Sequence, residues 1–384
     1  MYRKRITFLS LMLIVGLLLA TRDAAAQAGV DQDYAGLQDG ALIVVIDGAE
    51  QTIPLQANRG VSSLAWSPDG TKIAYIFSDE EFGLHIGVAD VMTGESFELG
   101  SSGSPEAGFP VSWTPDGDLL YAQSAFDQPT TDGSYSPNIN RIAPEADAQP
   151  QTIASVPYGA GCGGGSPIPA DWQYWIETGF GGSPLMLQWT DFGILFSAMC
   201  GGSGYGLLDP ATGDFRYVTP VTLVNGMPAP DENISRAKLS PDGTTLVAIR
   251  TVYAEPDPVE SVVLVDLATG TLTDVETSEQ PEQVAWSASG DIYYAARTVS
   301  DPDLLDNLTD AQRANIEAMG TGFTVASYLV NTYRVELASG NERLMFGGNF
   351  YTIGRMVEAP DSSVWVSTVP NLEAWLEAVG DGTV

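Results

Sequence analysis

The chain is built from short apolar runs, many alternating with polar residues, separated by turns that carry glycine. Period-two alternation over a few residues predicts β-strands, because successive side chains of a strand point to opposite faces. Short apolar runs bounded by turn residues are read as strands too, among them Lys72-Ile-Ala-Tyr-Ile-Phe77, Leu119-Leu-Tyr-Ala122, Ile194-Leu-Phe-Ser197, Thr245-Leu-Val-Ala-Ile249 and Ile292-Tyr-Tyr-Ala295. Each is preceded by one recurring phrase: Leu64-Ala-Trp66-Ser-Pro68-Asp69-Gly70, Val111-Ser-Trp113-Thr-Pro115-Asp116-Gly117, Leu187-Gln-Trp189-Thr-Asp191-Phe-Gly193, Lys238-Leu-Ser240-Pro241-Asp242-Gly243 and Val284-Ala-Trp286-Ser-Ala-Ser289-Gly290. A sixth, decayed copy runs from Met356 through Pro360 and Asp361 to Val364-Trp-Val366. Proline presets φ for a tight turn and glycine takes its left-handed position, so each copy predicts two strands, A and B, joined by that turn.

A second hairpin, C to D, follows most copies on an Asp-x-x-Thr-Gly turn: Asp90 to Gly94, Asp209 to Gly213, Asp266 to Gly270, with Glu336 to Gly340 as a variant. Four strands per unit is the composition of a propeller blade. Pro68 and Pro115 are 47 residues apart, as are Pro241 and Ala288, whereas Asp116 to Asp191 and Ala288 to Pro360 span 75 and 72. The two longer intervals read as one period plus an insertion each.

On these Trp-Ser-Pro-Asp-Gly repeats the chain resembles the TolB-like family of propellers, also described as WD-like repeats, over roughly residues 42–368. The resemblance implies a fold and leaves activity open, because propellers host many unrelated functions. The expected architecture is all-β, a six-bladed β-propeller whose closing blade is shared by strands from the two ends of the chain. Ala41–Asp47 and Gln51–Leu55 would supply its C and D strands, and the segments around Met356 and Val364–Val369 its A and B strands. Such closure leaves no sheet edge exposed.

Outside the propeller, Arg3, Lys4 and Arg5 precede an uncharged stretch, Ile6 to Ala20, and the small residues Ala24-Ala25-Ala26-Gln27-Ala28. This is the layout of an export signal, too short at its apolar centre to span a bilayer. The expected organisation is therefore a signal peptide at 1–26, a short linker at 27–41, one propeller at 42–369 with insertions near 156–184 and 299–323, and a helical tail at 370–384. Thr309–Gly320 carries an approximate apolar side, and Asn371–Gly380 carries Leu372, Trp375, Leu376 and Val379 at helical spacing.

Charge narrows the function classes. There are 49 Asp+Glu against 16 Lys+Arg in 384 residues, a formal net charge of −33. Such a chain offers no basic stripe for nucleic acid, and no attraction to an anionic membrane surface. The single histidine, His85, excludes most metal sites and any Ser-His-Asp arrangement without it. It lies in Leu84-His-Ile-Gly-Val88, an expected C strand, and is read as structural. No catalytic residue and no resident cofactor are indicated.

In a blade the B–C and D–A connections share one end. The long segments 125–137, 156–184, 252–259 and 299–323 are all of those kinds, so this end is the expected binding surface. Cys162 and Cys200 both map to it, and an oxidising compartment favours their pairing as a disulfide. Trp172, Tyr174 and Trp175, after a glycine-rich stretch, are candidate partner-binding residues, with packing beneath the insertion as the plainer role. Asp301, Asp303 and Asp306 form a weak candidate calcium set, and Glu255, Asp257 and Glu260 a second; solvated acidic loops are the plainer account. The leading expectation is a secreted, periplasmic or cell-surface propeller that binds an envelope or extracellular protein or peptide without catalysis. The alternatives are a carbohydrate- or calcium-dependent binder and a carboxylate-based hydrolase or lyase.

Overall fold

The computed structural model describes Tyr34 to Pro370 except for 39–40, 47–48, 56–60, 80–82, 101, 107–108, 124–136, 157–184, 200–202, 221–222, 225–226, 229–231, 254–257, 302–326 and 359–363. Among the described residues every regular element is a strand, and no helix is long and apolar enough to cross a membrane. The expected signal peptide and both expected helices, 309–320 and 371–380, lie outside the described residues.

The strands form consecutive antiparallel meanders. The first sheet orders β1 (Tyr34–Gln38), β2 (Ala41–Ile46) and β3 (Ala49–Pro54). The second holds β4 (Val61–Trp66), β5 (Lys72–Ser78), β6 (Leu84–Asp90) and β7 (Glu95–Glu98). The third holds β8 (Ser112–Trp113), β9 (Leu119–Gln123), β10 (Asn138–Ile142) and β11 (Gln151–Ser155). The fourth holds β12 (Leu187–Thr190), β13 (Gly193–Met199), β14 (Ser203–Leu208) and β15 (Phe215–Tyr217). After a small hairpin of β16 (Leu223–Val224) and β17 (Met227–Pro228), the fifth holds β18 (Glu232–Leu239), β19 (Thr245–Val252), β20 (Val259–Asp266) and β21 (Leu272–Val275). The last runs β22 (Pro281–Trp286), β23 (Ile292–Asp301), β24 (Ser327–Glu336), β25 (Asn341–Glu358) and β26 (Val364–Pro370).

The core lies between sheets. One apolar cluster joins Leu42, Val44 and Ile53 of the first sheet to Trp66, Ile73 and Tyr75 of the second. Others join the second to the third through Ile76 and Trp113, the third to the fourth through Leu120 and Phe196, the fourth to the fifth through Leu195 and Val263, and the fifth to the sixth through Val247 and Tyr294. Each inner sheet is therefore covered on both faces. That explains why central strands such as Ile73–Phe77 are buried at every position and read as nearly continuous apolar runs. Close fit is set locally as well. Tyr75 pairs with Gly87, and a Cβ added there would lie 2.1 Å from the tyrosine ring; Phe196 covers Gly206 the same way at 2.6 Å.

The repeat's tryptophan ties one sheet to the next. The Trp113 indole donates to the Ala65 carbonyl at 2.8 Å, and the Trp286 indole to the Lys238 carbonyl at 2.9 Å. Both acceptors stand one residue before the preceding copy's tryptophan position, occupied by Trp66 and Leu239. A motif recognised by its turn thus also sets the pitch between innermost strands.

The N-terminal pairing differs from expectation. β2 has β1 and β3 as its neighbours, with Gln38 opposite Ala41, so the edge expected to receive a C-terminal strand is taken by Tyr34–Gln38. Among the described pairings β26 joins only β25. The reason is local: Asp39-Gly40 between paired strands is a strong two-residue hairpin signal, and closing that loop costs far less entropy than joining the chain ends.

Candidate functional site

The two ends of the sheets are built differently. At one end each A–B link among the described residues is a short, self-satisfied turn. Ser67 Oγ donates to Asp69 Oδ1 at 2.6 Å, the Thr71 amide donates to the same oxygen at 3.0 Å, and Ser67 Oγ accepts from the Lys72 amide at 2.9 Å. Thr114 with Asp116, and Ser240 with Asp242, repeat the first contact at 2.6 Å. The hydroxyl donors, first of all, hold these three carboxyls below the usual aspartate range. They stay ionised and committed to their own turns, which makes them poor proton carriers near neutral pH. In the fourth sheet Phe192 takes the aspartate's place and is 40% exposed.

The opposite end is where the links β5–β6, β9–β10, β13–β14, β19–β20 and β23–β24 leave and return, together with every sheet-to-sheet link. We call it the connector end. Here the innermost strands break register: at Val61/Ser63 in β4, Ser235/Lys238 in β18 and Pro281/Gln283 in β22. Such bulges re-aim side chains. The bulge in β18 holds Arg236 at φ 55, the single non-glycine residue with positive φ among the described residues. Arg236 Nη1 donates to the Glu282 carbonyl at 2.7 Å, from one bulge to the next, and lies 4.0 Å from Glu260. The Glu282 carboxylate takes Arg297 Nε at 3.1 Å. Nearby on the same sheet, Arg250 binds Glu232 at 2.8 Å and Asp274 at 3.3 Å. A left-handed arginine costs backbone energy on the order of 1–3 kcal/mol, which the surrounding contacts hold in place.

Two further polar groups sit at sheet boundaries. Between the fifth and sixth sheets Tyr294 and Tyr333 stack at 5.0 Å. Tyr294 donates to Glu342 at 2.8 Å and Tyr333 to Glu279 at 2.5 Å, while Ser278 donates to Glu342 through its amide at 3.0 Å and through its hydroxyl. Burial, then Glu279, pushes the Tyr333 hydroxyl up to about 12, and burial likewise raises Tyr294, so both remain donors. In the second sheet His85 sits between Asp79 and Glu98, at 3.0 and 2.8 Å. Sequence reasoning passed over Arg236 and both tyrosines. Nothing in a strand's residue pattern announces a bulge, although the tyrosines' carboxylate partners are all in the sequence.

Of the residues singled out in sequence, Glu260 is placed at the connector end, beside Arg236 and accepting from Thr251 at 3.4 Å. Asp301 ends β23 opposite Ser327. Trp172, Tyr174, Trp175, Cys162, Cys200, Asp303, Asp306, Glu255 and Asp257 lie outside the described residues. Among the described residues no group of three or more His, Cys, Asp or Glu side chains could hold a metal ion.

No protein-family model matches the chain, and no curated protein matches it. Solved structures do. An oligogalacturonate lyase in complex with manganese is 12% identical over 93% of this chain and 92% of its own, with a TM-score of 0.52. TolB from Acinetobacter baumannii is 16% identical over 84% of this chain, with a TM-score of 0.43, and this chain spans 61% of that one. The β-propeller domain of the Trilobed protease from Pyrococcus furiosus is 12% identical over 88% and 85%, with a TM-score of 0.47. Consecutive four-stranded antiparallel meanders packed face to face, with repeat-borne ties between them, make the fold that of a β-propeller. Identities this low speak for the fold alone.

Proposed function

We propose that the chain is an exported, non-catalytic six-bladed propeller that binds an envelope or extracellular protein or peptide through its connector end. The sixth blade would combine the first sheet with the β25–β26 hairpin. The observation that carries the reading is the asymmetry of the two ends. One end spends its polar groups inside repeated short turns, while the other carries the bulged inner strands and the left-handed Arg236. Non-repeating features on a repeating scaffold are where recognition is expected. Asp301 at the end of β23, with Asp303 and Asp306 following in sequence, favours a second reading, a calcium- or carbohydrate-dependent binder at the same end.

Affinity capture tests both readings. The bait is the chain from Gln27, with and without calcium, beside a variant in which 302–326 is replaced by a short linker. Capture of a protein by the full bait and its loss from the variant is the expected result. Capture that survives the replacement, or no captured protein, contradicts the first reading; glycan-array binding that requires calcium favours the second. N-terminal sequencing of the cellular protein checks export, with a start at Gln27 or just after Ala28 expected.

A further inference from the structure

His85, half-buried near the start of β6, has both ring nitrogens occupied by acids, one just past the end of β5 and one on β7. Nε2 is 3.0 Å from Asp79 Oδ2, just past β5, and Nδ1 is 2.8 Å from Glu98 Oε1, the last residue of β7. An ionised carboxylate only accepts, so two such contacts at once require the doubly protonated imidazolium. The ring stacks on Phe77 at 5.3 Å and 23°. Asp79 also holds its own loop: its amide donates to the Gly83 carbonyl at 2.9 Å, and the Gly83 amide donates to Asp79 Oδ1 at 2.7 Å. Directly after Glu98, the Leu99 amide donates to the Ile86 carbonyl at 2.9 Å.

The surroundings identify what could titrate against it. Asp79 from the β5 end and Glu98 from β7 face the ring, with Phe77 beneath it. The described strands of the first sheet, packed on this side, carry one charged side chain, Glu50, near the start of β3. Burial works against the imidazolium, and the hydrogen bond to Asp79 followed by the charge of Glu98 outweighs it, so the ring holds its proton above the ordinary 6.5. A raised folded value means the contribution is fully present below 6.5 and is lost as pH rises through the folded value. Because His85 is the chain's one histidine, a side-chain change near neutral pH traces to it.

We propose that His85 is a proton-operated latch that ties the end of β5, through Asp79, to the outer strand β7, through Glu98, at the connector end. Neutral imidazole donates from one nitrogen only and turns a lone pair toward the other carboxylate, so losing the proton releases one of the two ties. The rim of the second sheet is then firm at mildly acidic pH and loose at alkaline pH. This holds whether or not the connector end binds a protein.

The test is a titration of the full chain from Gln27 by NMR at His85, with hydrogen exchange read at the Gly83 and Leu99 amides against Val88 as an internal reference. We expect a His85 midpoint above 6.5 that falls in Glu98→Gln. Protection of Gly83 and Leu99 should drop on the order of tenfold, relative to Val88, as pH passes that midpoint, in line with losing one charge-assisted hydrogen bond. His85→Arg, a permanent cation, should keep the protection across the range, and His85→Gln should abolish its pH dependence. A midpoint at or below 6.5, or protection that does not change with pH in the parent chain, overturns the latch. So does the same pH dependence in His85→Gln. The parent titration stands alone should a variant not fold.

Discussion

Replacing Trp113 by phenylalanine removes the indole N–H that reaches the Ala65 carbonyl at 2.8 Å, while leaving an aromatic ring in a site only 9% exposed. Three losses add. The hydrogen bond itself is worth about 0.5–1.5 kcal/mol, and a carbonyl left without it at a packed boundary costs about 1 kcal/mol more. The space vacated by the missing ring, roughly 40 Å³, adds about 1 kcal/mol at roughly 24 cal/mol per Å³. The expected total is about 2.5–3.5 kcal/mol. The assay is equilibrium urea unfolding followed by far-UV circular dichroism. With a slope of about 3 kcal/mol per molar, the midpoint should fall by roughly 1 M at an unchanged slope. Trp189→Phe is the matched control. Trp189 packs beside the cluster of the third and fourth sheets, but its indole has no acceptor among the described residues, so about 1 kcal/mol is expected. Equal effects at the two positions, or a loss below about 0.5 kcal/mol at Trp113, would refute the claim that the repeat's tryptophan sets the spacing of the sheets.

Gly87→Ala should cost about 1–3 kcal/mol in the same assay, because its Cβ would meet the Tyr75 ring at 2.1 Å within a packed sheet boundary. Asp242→Asn should weaken the chain at pH 7 and leave it little changed in strong acid. Its carboxyl lies below the usual range, so its contribution is present above 3.8 and lost as pH falls through the folded value; urea midpoints at pH 7 and pH 2.5 check this. Glu279→Gln should lower the Tyr333 hydroxyl from about 12 in an absorbance titration, since it removes the carboxylate that helps keep that proton on. Export as proposed entails an oxidising compartment, so intact mass of the cellular protein under non-reducing conditions, before and after reduction and alkylation, should show Cys162 and Cys200 joined.

Much of this fold is legible in the sequence, and the illegible parts share a cause. Turn residues have local requirements, so Ser67-Pro68-Asp69-Gly70 and Asp266 to Gly270 reveal their hairpins unaided, and Gly70 and Gly270 adopt the left-handed φ of 70 and 71 that those turns demand. Bulges have no such local signature. Arg236 is left-handed because the next inner strand presents the Glu282 carbonyl 46 residues on, a neighbour no local pattern names. The His85 cluster shows the same limit: Asp79, His85 and Glu98 are ordinary residues in sequence and meet only once three strands pair. Asp39-Gly40 is the reverse case, a local signal present in the sequence and outweighed in the reading by the attraction of a shared closing blade. The third copy's Phe192, standing where the first, second and fourth copies carry Asp69, Asp116 and Asp242, is equally visible and exposes an aromatic ring at the turn end.

The central claim is that recognition belongs to the connector end, and a hydrogen-exchange footprint of the chain bound to its captured partner tests it most directly. The account predicts new protection at 79–85, 232–237, 251–260 and 276–283, with the repeated turns at 67–71, 114–118, 240–244 and 266–271 unchanged. Protection confined to those turns, with the connector end exchanging as in the free chain, would contradict it.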